Sequence, residues 1–426
     1  MINSTLRSEL LAQVDKRADE LIQLAAHLIQ IPSENPPGNS GAIADAISAY
    51  LVRQGIASEE LVAPGGHVNL LARLETERPG KRLIFCGHTD VVPAGDRSRW
   101  DFSPESGEVR DGYLLGRGAS DMKAGLAGLM LAMAILKQHR DKFSGEIVLA
   151  AADDEETGGE FGVEWLLAEG HLRGNACLIA EPSSALYPTI GQKGSAWTRL
   201  IFRGQPTHGS LAPIEGDSAT LKAAKATVAL QRLFEMPVAF PEDLRSVLEV
   251  SQEYIRRNRA NPRTAEILDH VSVNVGVLRG GSKANIVADQ CVLETDIRVP
   301  FGATPEQVAA HIDKLLAEVG LKRGVDYEAE RMAFHGPANY TLPSEPIVQA
   351  VLRSIELVRG ERADGVLQWA SSDARYFRRF DIPVLQYGPA DLPTIHGLNE
   401  KVLVEEIVAA AKVYVLTAVD YLTEGK

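Results

Sequence analysis

Five residues with imidazole or carboxylate side chains stand just beyond apolar runs of strand length, or at the start of an apolar helix: His88, Asp121, Glu156, Glu181 and His396. Mixed imidazole and carboxylate donors suit zinc, cobalt or manganese rather than a soft, thiolate-bound metal. Five protein ligands are more than one ion needs. A carboxylate such as Asp121 can bridge two ions about 3.5–4 Å apart and leave each ion two private ligands. A water shared between them is acidified and becomes a nucleophile near neutral pH.

The stretch LIFCGHTD, residues 83–90, places His88 at the carboxyl end of a buried strand. Such an end is held rigidly. Asp90 is placed to bond the far imidazole nitrogen and fix the tautomer. The run Asp153, Asp154, Glu155, Glu156 leaves another apolar strand, and adjacent residues leaving a strand point different ways. One of the two glutamates would therefore bind metal while the other acts as general base, taking the water's proton and passing it to the leaving amine. Each residue also has an ordinary reading. Asp121 would cap the helix that follows it, the acidic run would be a solvated turn, Glu181 would open a turn at Pro182, and His396 would lie in a surface loop. Their recurrence along one edge of one sheet favours the metal reading. Competing motifs are weak: GRGASD lacks the third glycine of a dinucleotide loop, and neither a Gly-Lys-Ser/Thr phosphate loop nor a G-x-S-x-G elbow is present.

The elements that must position these groups are legible as hydrophobic periods. Residues 7–30 carry leucines and Val14 at helical spacing and predict one amphipathic opening helix ended by Pro32. IPSENPPGNSG, 31–41, is turn chemistry, and 42–53 resumes a helix. Strands are predicted at 68–74, 83–86, 145–152 and 177–180, with a long apolar helix over 122–136. This alternation argues an α/β fold, a mostly parallel sheet with helices on both faces. In such sheets functional groups collect beyond the strands' carboxyl ends. From about Gly191 the pattern changes: 196–203, 271–277 and 291–299 alternate apolar and polar residues, as in antiparallel sheet with one solvated face. Helices at 217–234 and 305–319 complete an inserted α+β domain. The expected division is a discontinuous catalytic domain, 1–190 and 336–426, interrupted by residues 191–335. The charged, proline-punctuated stretch 235–270 carries no functional signal, and the strand–helix alternation returns from 344.

Composition sets outer limits. With 426 residues the chain suits about two domains. Its net charge of −13 argues against nucleic acid or anionic lipid as a partner and for small molecules. The three cysteines, Cys86, Cys177 and Cys291, form no disulfide framework. No stretch approaches the roughly 18 apolar residues of a membrane span and no signal segment is evident. A cytoplasmic location is expected.

Taken in order, HTDVVP at 88–93, GRGASDMKAG at 116–125, DDEETGG at 153–159, AEPS at 180–183 and IHGLNE at 395–400 resemble the co-catalytic zinc amidohydrolase family. That family includes aminoacylases, acetylornithine deacetylase, succinyl-diaminopimelate desuccinylase and glutamate carboxypeptidase. The resemblance implies a zinc-exopeptidase-like catalytic domain with an inserted lid and dimerisation domain. It assigns His88 and Glu181 to one metal ion, Glu156 and His396 to the other, and Asp121 as the bridge. Glu155 would be the base and Asp90 the partner of His88. QPTHGS at 205–210 is similar to the place where the family carries a histidine that reaches a neighbouring subunit's site, so His208 would stabilise the oxyanion. Asn274, Asn285 and Arg298 resemble positions that hold the substrate's carbonyl and carboxylate, although Arg298 also suits a plain cross-strand ion pair, with Asp289, Glu294 and Asp296 nearby in sequence. WASSDAR, 369–375, resembles a pocket-lining loop in which Ser372 and Asp373 would touch substrate.

The expected activity is hydrolysis of an amide in a small N-acyl amino acid, deacetylase or desuccinylase in type, through a hydroxide bridging two divalent ions, zinc foremost and cobalt or manganese as alternatives. The expected assembly is a homodimer formed through the inserted domain. A dipeptidase or carboxypeptidase of the same family is the nearer alternative. A non-catalytic binder on the same fold would have lost a ligand or the base, and neither is lost here.

Overall fold

The run IVLAAA is apolar on both of its alternating faces, and all seven residues of the Glu146–Ala152 strand are buried. Successive side chains point to opposite faces, so both faces of the sheet are covered at this strand. The computed structural model describes residues 4–423 and, within that range, every side chain except those of residues 333 and 334. Glu146–Ala152 pairs in parallel with Arg82–His88, that strand with Ala176–Ile179, and that in turn with Val384–Gln386. Antiparallel strands flank this parallel centre. Val68–Glu75 lies on Glu146–Ala152 and carries Ser58–Val62 at the edge, and Thr189 pairs with Gln386 on the other side.

The helix Lys123–Gln138 is buried at every position from Lys123 to Leu136. Two glycines let it approach its neighbours. A Cβ at Gly125 would lie 2.4 Å from the carbonyl oxygen of Ala180, and one at Gly128 would lie 2.9 Å from the ring of Tyr414 in the helix Val404–Thr423. The amino end of this helix is thereby pressed against the carboxyl end of a central strand.

The chain opens with two helices, Ser4–Lys16 and Ala18–Gln30, where the periodicity predicts one. Arg17 sits between them at φ −105°, ψ 16°. Its guanidinium turns to Glu20 at 2.6 and 2.8 Å and to Gln54 at 3.0 Å. The bend keeps Leu10 and Val14 of the first helix and Leu21, Leu24 and Leu28 of the second in the core.

The chain divides into two units, one made of Met1–Ile190, Thr341–Val366 and Ser372–Lys426, the other of Gly191–Tyr340 and Leu367–Ser371. The second holds a four-stranded antiparallel sheet in the order Ser272–Gly280, Gln290–Val299, Gly194–Arg203, Tyr327–Gly336. Along Gln290–Val299 burial alternates strictly: Cys291, Leu293, Thr295, Ile297 and Val299 face inward. Their apolar side chains share one core with Ala219–Leu230 and Pro305–Glu318, the helices that cover this face. The stretch 235–270 folds into two short turns and the helix Arg245–Asn258, whose buried residues Val247, Leu248, Ser251 and Ile255 form one stripe. The buried Lys193 Nζ donates to the carbonyls of Ile267 and His270 at 2.6 and 2.7 Å. Among the described residues no helix is long and apolar enough to cross a membrane.

Candidate metal centre

Register explains the first ligand group. Cys86 is paired with Ile179 in the parallel ladder. His88 and Glu181 each lie two residues further along their own chain, so they emerge side by side on the same face. Gly87 admits the helix that brings the third ligand: a Cβ there would lie 2.9 Å from the Met122 side chain, whose sulfur accepts the N–H of His88 at 3.3 Å. Asp121 immediately precedes Met122, and it is Met122, not Asp121, that occupies the N-cap position of Lys123–Gln138. The helix-cap reading of Asp121 is thus set aside, and its carboxylate is left to face His88.

His88 Nε2 lies 3.0 Å from Asp121 Oδ1 and 3.8 Å from Glu181 Oε1. On the other side His396 Nε2 lies 3.3 Å from Asp121 Oδ2 and 3.3 Å from Glu156 Oε2. Ligand atoms of His88, Asp121 and Glu181 form one group and those of Asp121, Glu156 and His396 a second, each within 4.8 Å. Asp121 is the shared member and offers one oxygen to each imidazole.

Asp90 meets the far imidazole nitrogen of His88, and it does so chiefly through its main chain. The short bond from His88 Nδ1 goes to the main-chain carbonyl of Asp90 at 2.8 Å, while the Asp90 carboxylate is 3.5 Å away. A carbonyl only accepts, so Nδ1 carries a proton, and Nε2 is the nitrogen left to face the ligand group, 3.0 Å from Asp121 Oδ1. The Asp90 carboxylate instead accepts the main-chain N–H groups of Glu155 and Glu156, at 3.3 and 3.1 Å, and the side-chain amide of Asn35 at 3.0 Å. Glu155 and Glu156 do not leave along the strand. Asp154 adopts a left-handed conformation at φ 72°, and Glu155–Thr157 forms a single 3₁₀ turn. The two glutamates therefore stand in a turn and are not separated by strand alternation.

Charge and burial pull against each other here. Burial pushes the Glu155 carboxyl well above its ordinary range, and the negative charges of Glu181 and Asp373 add to the effect. Glu181 is raised by burial and by Asp121, and Glu156 is raised mainly by burial. Burial would raise Asp121 as well, but its bonds to His396 and His88 outweigh it and hold the carboxyl below the ordinary range. The same bonds, to Asp121 and Glu156, lift His396 to about 10. Glu156 Oε1 is buried with no hydrogen-bond partner. Three clustered carboxylates with two imidazoles and an orphaned buried oxygen are a donor set that two divalent cations would satisfy.

Several positioning residues went unread in the sequence. Asn35 reaches in from the turn-rich 31–41 stretch. Asp154 accepts the Phe161 N–H at 3.0 Å and a bond from the Thr157 hydroxyl. Tyr376 donates its hydroxyl to the Gly158 carbonyl at 2.5 Å, and Arg375 donates to the same oxygen. Together they pin the loop that carries Glu155 and Glu156. Asp373 is buried with Oδ1 lacking a partner, and burial pushes its pKa up to about 7. Ser372 is engaged structurally: its hydroxyl accepts from Gln386 at 2.6 Å and from the Ala374 N–H at 3.2 Å.

His208, Asn274, Asn285 and Arg298 all belong to the second unit. Within it His208 and Asn285 are brought together by main-chain pairing, with a bridge from His208 to Ile286 and a bond from the Gly209 N–H to the Asn285 carbonyl at 2.8 Å. His208 Nδ1 caps the short Gly209–Leu211 turn by accepting from Ser210. Asn274 is exposed on Ser272–Gly280 and stands opposite Asp296. Asp296 also occupies the Arg298 fork, at 2.7 and 3.1 Å. The ion pair expected of Arg298 as an alternative thus forms, but along one strand rather than across two, between residues two apart that share a face.

A mostly parallel α/β sheet with two carboxylate-linked ligand groups at its carboxyl edge defines a metal-dependent amidohydrolase. The chain belongs to peptidase family M20/M25/M40, whose sequence model matches residues 84–420. It is 30% identical over 409 residues to a succinyl-diaminopimelate desuccinylase of Hydrogenovibrio crunogenus, covering 95% of this chain and 99% of that one. An M20 family metallo-carboxypeptidase from Sulfolobus solfataricus superposes with a TM-score of 0.77 at 18% identity, covering 94% of this chain and 99% of the other. Human carnosine dipeptidase 1 superposes with a TM-score of 0.75, also at 18% identity, covering 98% and 99%. At that identity the two superpositions establish the fold.

Proposed function

We propose that this protein hydrolyses the amide bond of a small N-acylated amino acid, deacetylase or desuccinylase in type, with two divalent metal ions at the site. The observation that carries the reading is the position of Asp121, one oxygen toward His88 and the other toward His396, with the half-buried Glu155 electrostatically coupled to Glu181 and His88. His88, Asp121 and Glu181 would hold one ion, and Asp121, Glu156 and His396 the other. Zinc fits these donors, as do cobalt and manganese. When bound, the ions supply Lewis acidity to the water and to the scissile carbonyl.

Glu155 does the proton chemistry. It belongs to neither ligand group, so its carboxylate is left to take a proton from the attacking water and return it to the departing amine. Asp90 orients both sides at once, through its carbonyl to His88 and through its carboxylate to the Glu155–Glu156 turn. His208 is assigned the oxyanion, and Asn274, Asn285 and Arg298 are assigned the substrate's polar ends. Arg298 must release Asp296 to serve there. The similarity to a desuccinylase over nearly the full length of both chains supports an acyl-amino-acid substrate.

A homodimer completes the proposal. On the second unit Leu221 and Val228, seven residues apart on one helix face, are 62% and 72% exposed, and Leu278 lies exposed on the edge strand Ser272–Gly280. Exposed apolar residues beside an unpaired strand edge suit a second copy of the chain.

The test is release of free amine from N-acetyl, N-succinyl and dipeptide substrates, by chelator-stripped protein and by protein reloaded with zinc, cobalt or manganese. Metal-dependent cleavage confined to N-acyl amino acids is the expected result. Cleavage of dipeptides alone would move the protein to the dipeptidase reading. No cleavage of any member with any metal would overturn the proposal.

A further inference from the structure

Four of the five candidate ligands are fixed by elements already described: His88 and Glu181 by strand ends, Asp121 by the start of the central helix, Glu156 by the turn under Asp90. His396 is different. It is 52% exposed and sits in a loop with a left-handed backbone at φ 58°. Thirteen residues span the interval from the end of Val384–Gln386 to Glu400, with only the short turn Leu392–Thr394 between.

The hold on this loop comes from a buried ion pair four residues further on. Glu400 is fully buried. Its Oε1 accepts the main-chain N–H groups of Ser120 and Asp121, both at 3.0 Å, and its Oε2 accepts from Arg117 at 2.5 Å. Arg117, itself 5% exposed, donates its second terminal nitrogen to the carbonyl of Gly397 at 2.9 Å. One carboxylate and one guanidinium thus connect the backbone of the shared ligand, Asp121, to the residue next to His396. Two further bonds run in parallel: the Ser120 hydroxyl donates to the Lys401 carbonyl at 2.8 Å and accepts the Asp391 N–H at 2.8 Å.

We propose that the Glu400–Arg117 pair is a positioning device that sets the distance between Asp121 and His396. It thereby tunes the affinity of the Asp121–Glu156–His396 ion site separately from the His88–Asp121–Glu181 site. The asymmetry follows from the connections. Both sites share Asp121, but only one uses the loop that Arg117 holds. A buried carboxylate accepting three bonds is also a stiff anchor, because breaking any one of them leaves a desolvated polar group. Outer partners of this kind typically change metal affinity by about 10- to 100-fold.

This inference rests on the two-ion reading above, and the experiment separates the two. Cobalt(II) is titrated into metal-free protein and followed by its visible absorption, with stoichiometry from calorimetry. His396→Ala identifies which binding step belongs to the His396 site. Glu400→Gln keeps an oxygen for the Ser120 and Asp121 N–H groups but offers Arg117 no acceptor. Arg117→Lys keeps the charge but cannot span Glu400 and Gly397 together. The expected result is two cobalt ions in the unaltered protein, a loss of about tenfold or more in the His396 step in Glu400→Gln, a smaller loss in Arg117→Lys, and little change in the other step. Equal weakening of both steps, or none in either variant, overturns the positioning role. Binding of a single ion by the unaltered protein would instead defeat the two-ion reading. If Glu400→Gln fails to fold, Arg117→Lys alone decides between these outcomes.

Discussion

Asp90 and Glu156 are joined by a bond that no side-chain inventory would reveal: the Asp90 carboxylate accepts the Glu156 main-chain N–H at 3.1 Å. Asp90 also orients His88 through its own carbonyl. The two ligand groups are therefore linked behind the site by one residue, as they are linked in front by Asp121. An acidic residue two positions after a strand-end histidine is doing more than selecting a tautomer. Replacing Asp90 with asparagine leaves the His88 bond to its carbonyl intact and weakens the acceptor under the Glu155–Glu156 turn. The expected outcome is a loss of about 10- to 100-fold in metal affinity or activity, with Nδ1 of His88 still protonated. Metal titration checks the first part, and the imidazole nitrogen shifts in the metal-loaded protein check the second. An unchanged affinity would leave the turn without need of Asp90.

Glu155 and Asp121 are expected to fail differently. Glu155→Gln removes the proton acceptor and no proposed ligand, so turnover should fall by about 100- to 10,000-fold while bound metal stays near its original level. Asp121→Ala takes a ligand from both groups, so metal should be lost along with activity. Atomic absorption of the dialysed proteins beside an amine-release assay separates the two cases. Retained turnover in Glu155→Gln would remove that residue from its role.

How much of this was legible in the sequence depends on the range of the interaction. His88 and Glu181 were readable because residue type and strand end coincide locally, although their adjacency rests on the Cys86–Ile179 register, which no local pattern encodes. The proposed base and the proposed metal ligand in the acidic run are separable only by resemblance, since the left-handed Asp154 that starts their turn is not marked by a glycine. Asn35, Arg117 and Glu400 were missed for one reason. Each acts on a partner between 55 and 283 residues away, through bonds that composition and spacing do not express. Arg298 shows the opposite case. Its partner Asp296 lies two residues along the same strand, so nearness in sequence puts it among the candidates, although the cross-strand placement expected of the pair is not the one that forms.

The packing of the central helix against the strand end should be directly testable at Gly125. A methyl group there would lie 2.4 Å from the Ala180 carbonyl, the residue before Glu181. Backbone cannot yield as a side-chain tip can, so Gly125→Ala should cost about 1–3 kcal/mol of stability. It should also shift Glu181 enough to weaken the ion held with His88. Thermal melting and metal titration give the two readouts. A variant with wild-type melting and binding would show that the helix can retreat without disturbing the site.

Lys193 offers a test of pH dependence away from the metal centre. Burial first, then the neighbouring charge of Arg298, brings its pKa down to about 7 from the ordinary 10.5. A neutral amine keeps two N–H donors, enough for the carbonyls of Ile267 and His270 at 2.6 and 2.7 Å. Between pH 7 and 10.5 the unfolded chain binds a proton here that the folded chain does not. The contribution of Lys193 to stability therefore rises with pH across that window, by at most about 1.4 kcal/mol per pH unit, and is flat below it. Lys193→Met removes the titration while keeping most of the side chain's length. The difference in melting temperature between the unaltered protein and this variant should grow in favour of the unaltered protein from pH 7 to 9.5. A difference that stays constant, or shrinks, would mean that Lys193 remains charged in the folded chain, its ammonium stabilised by the carbonyls more than burial penalises it.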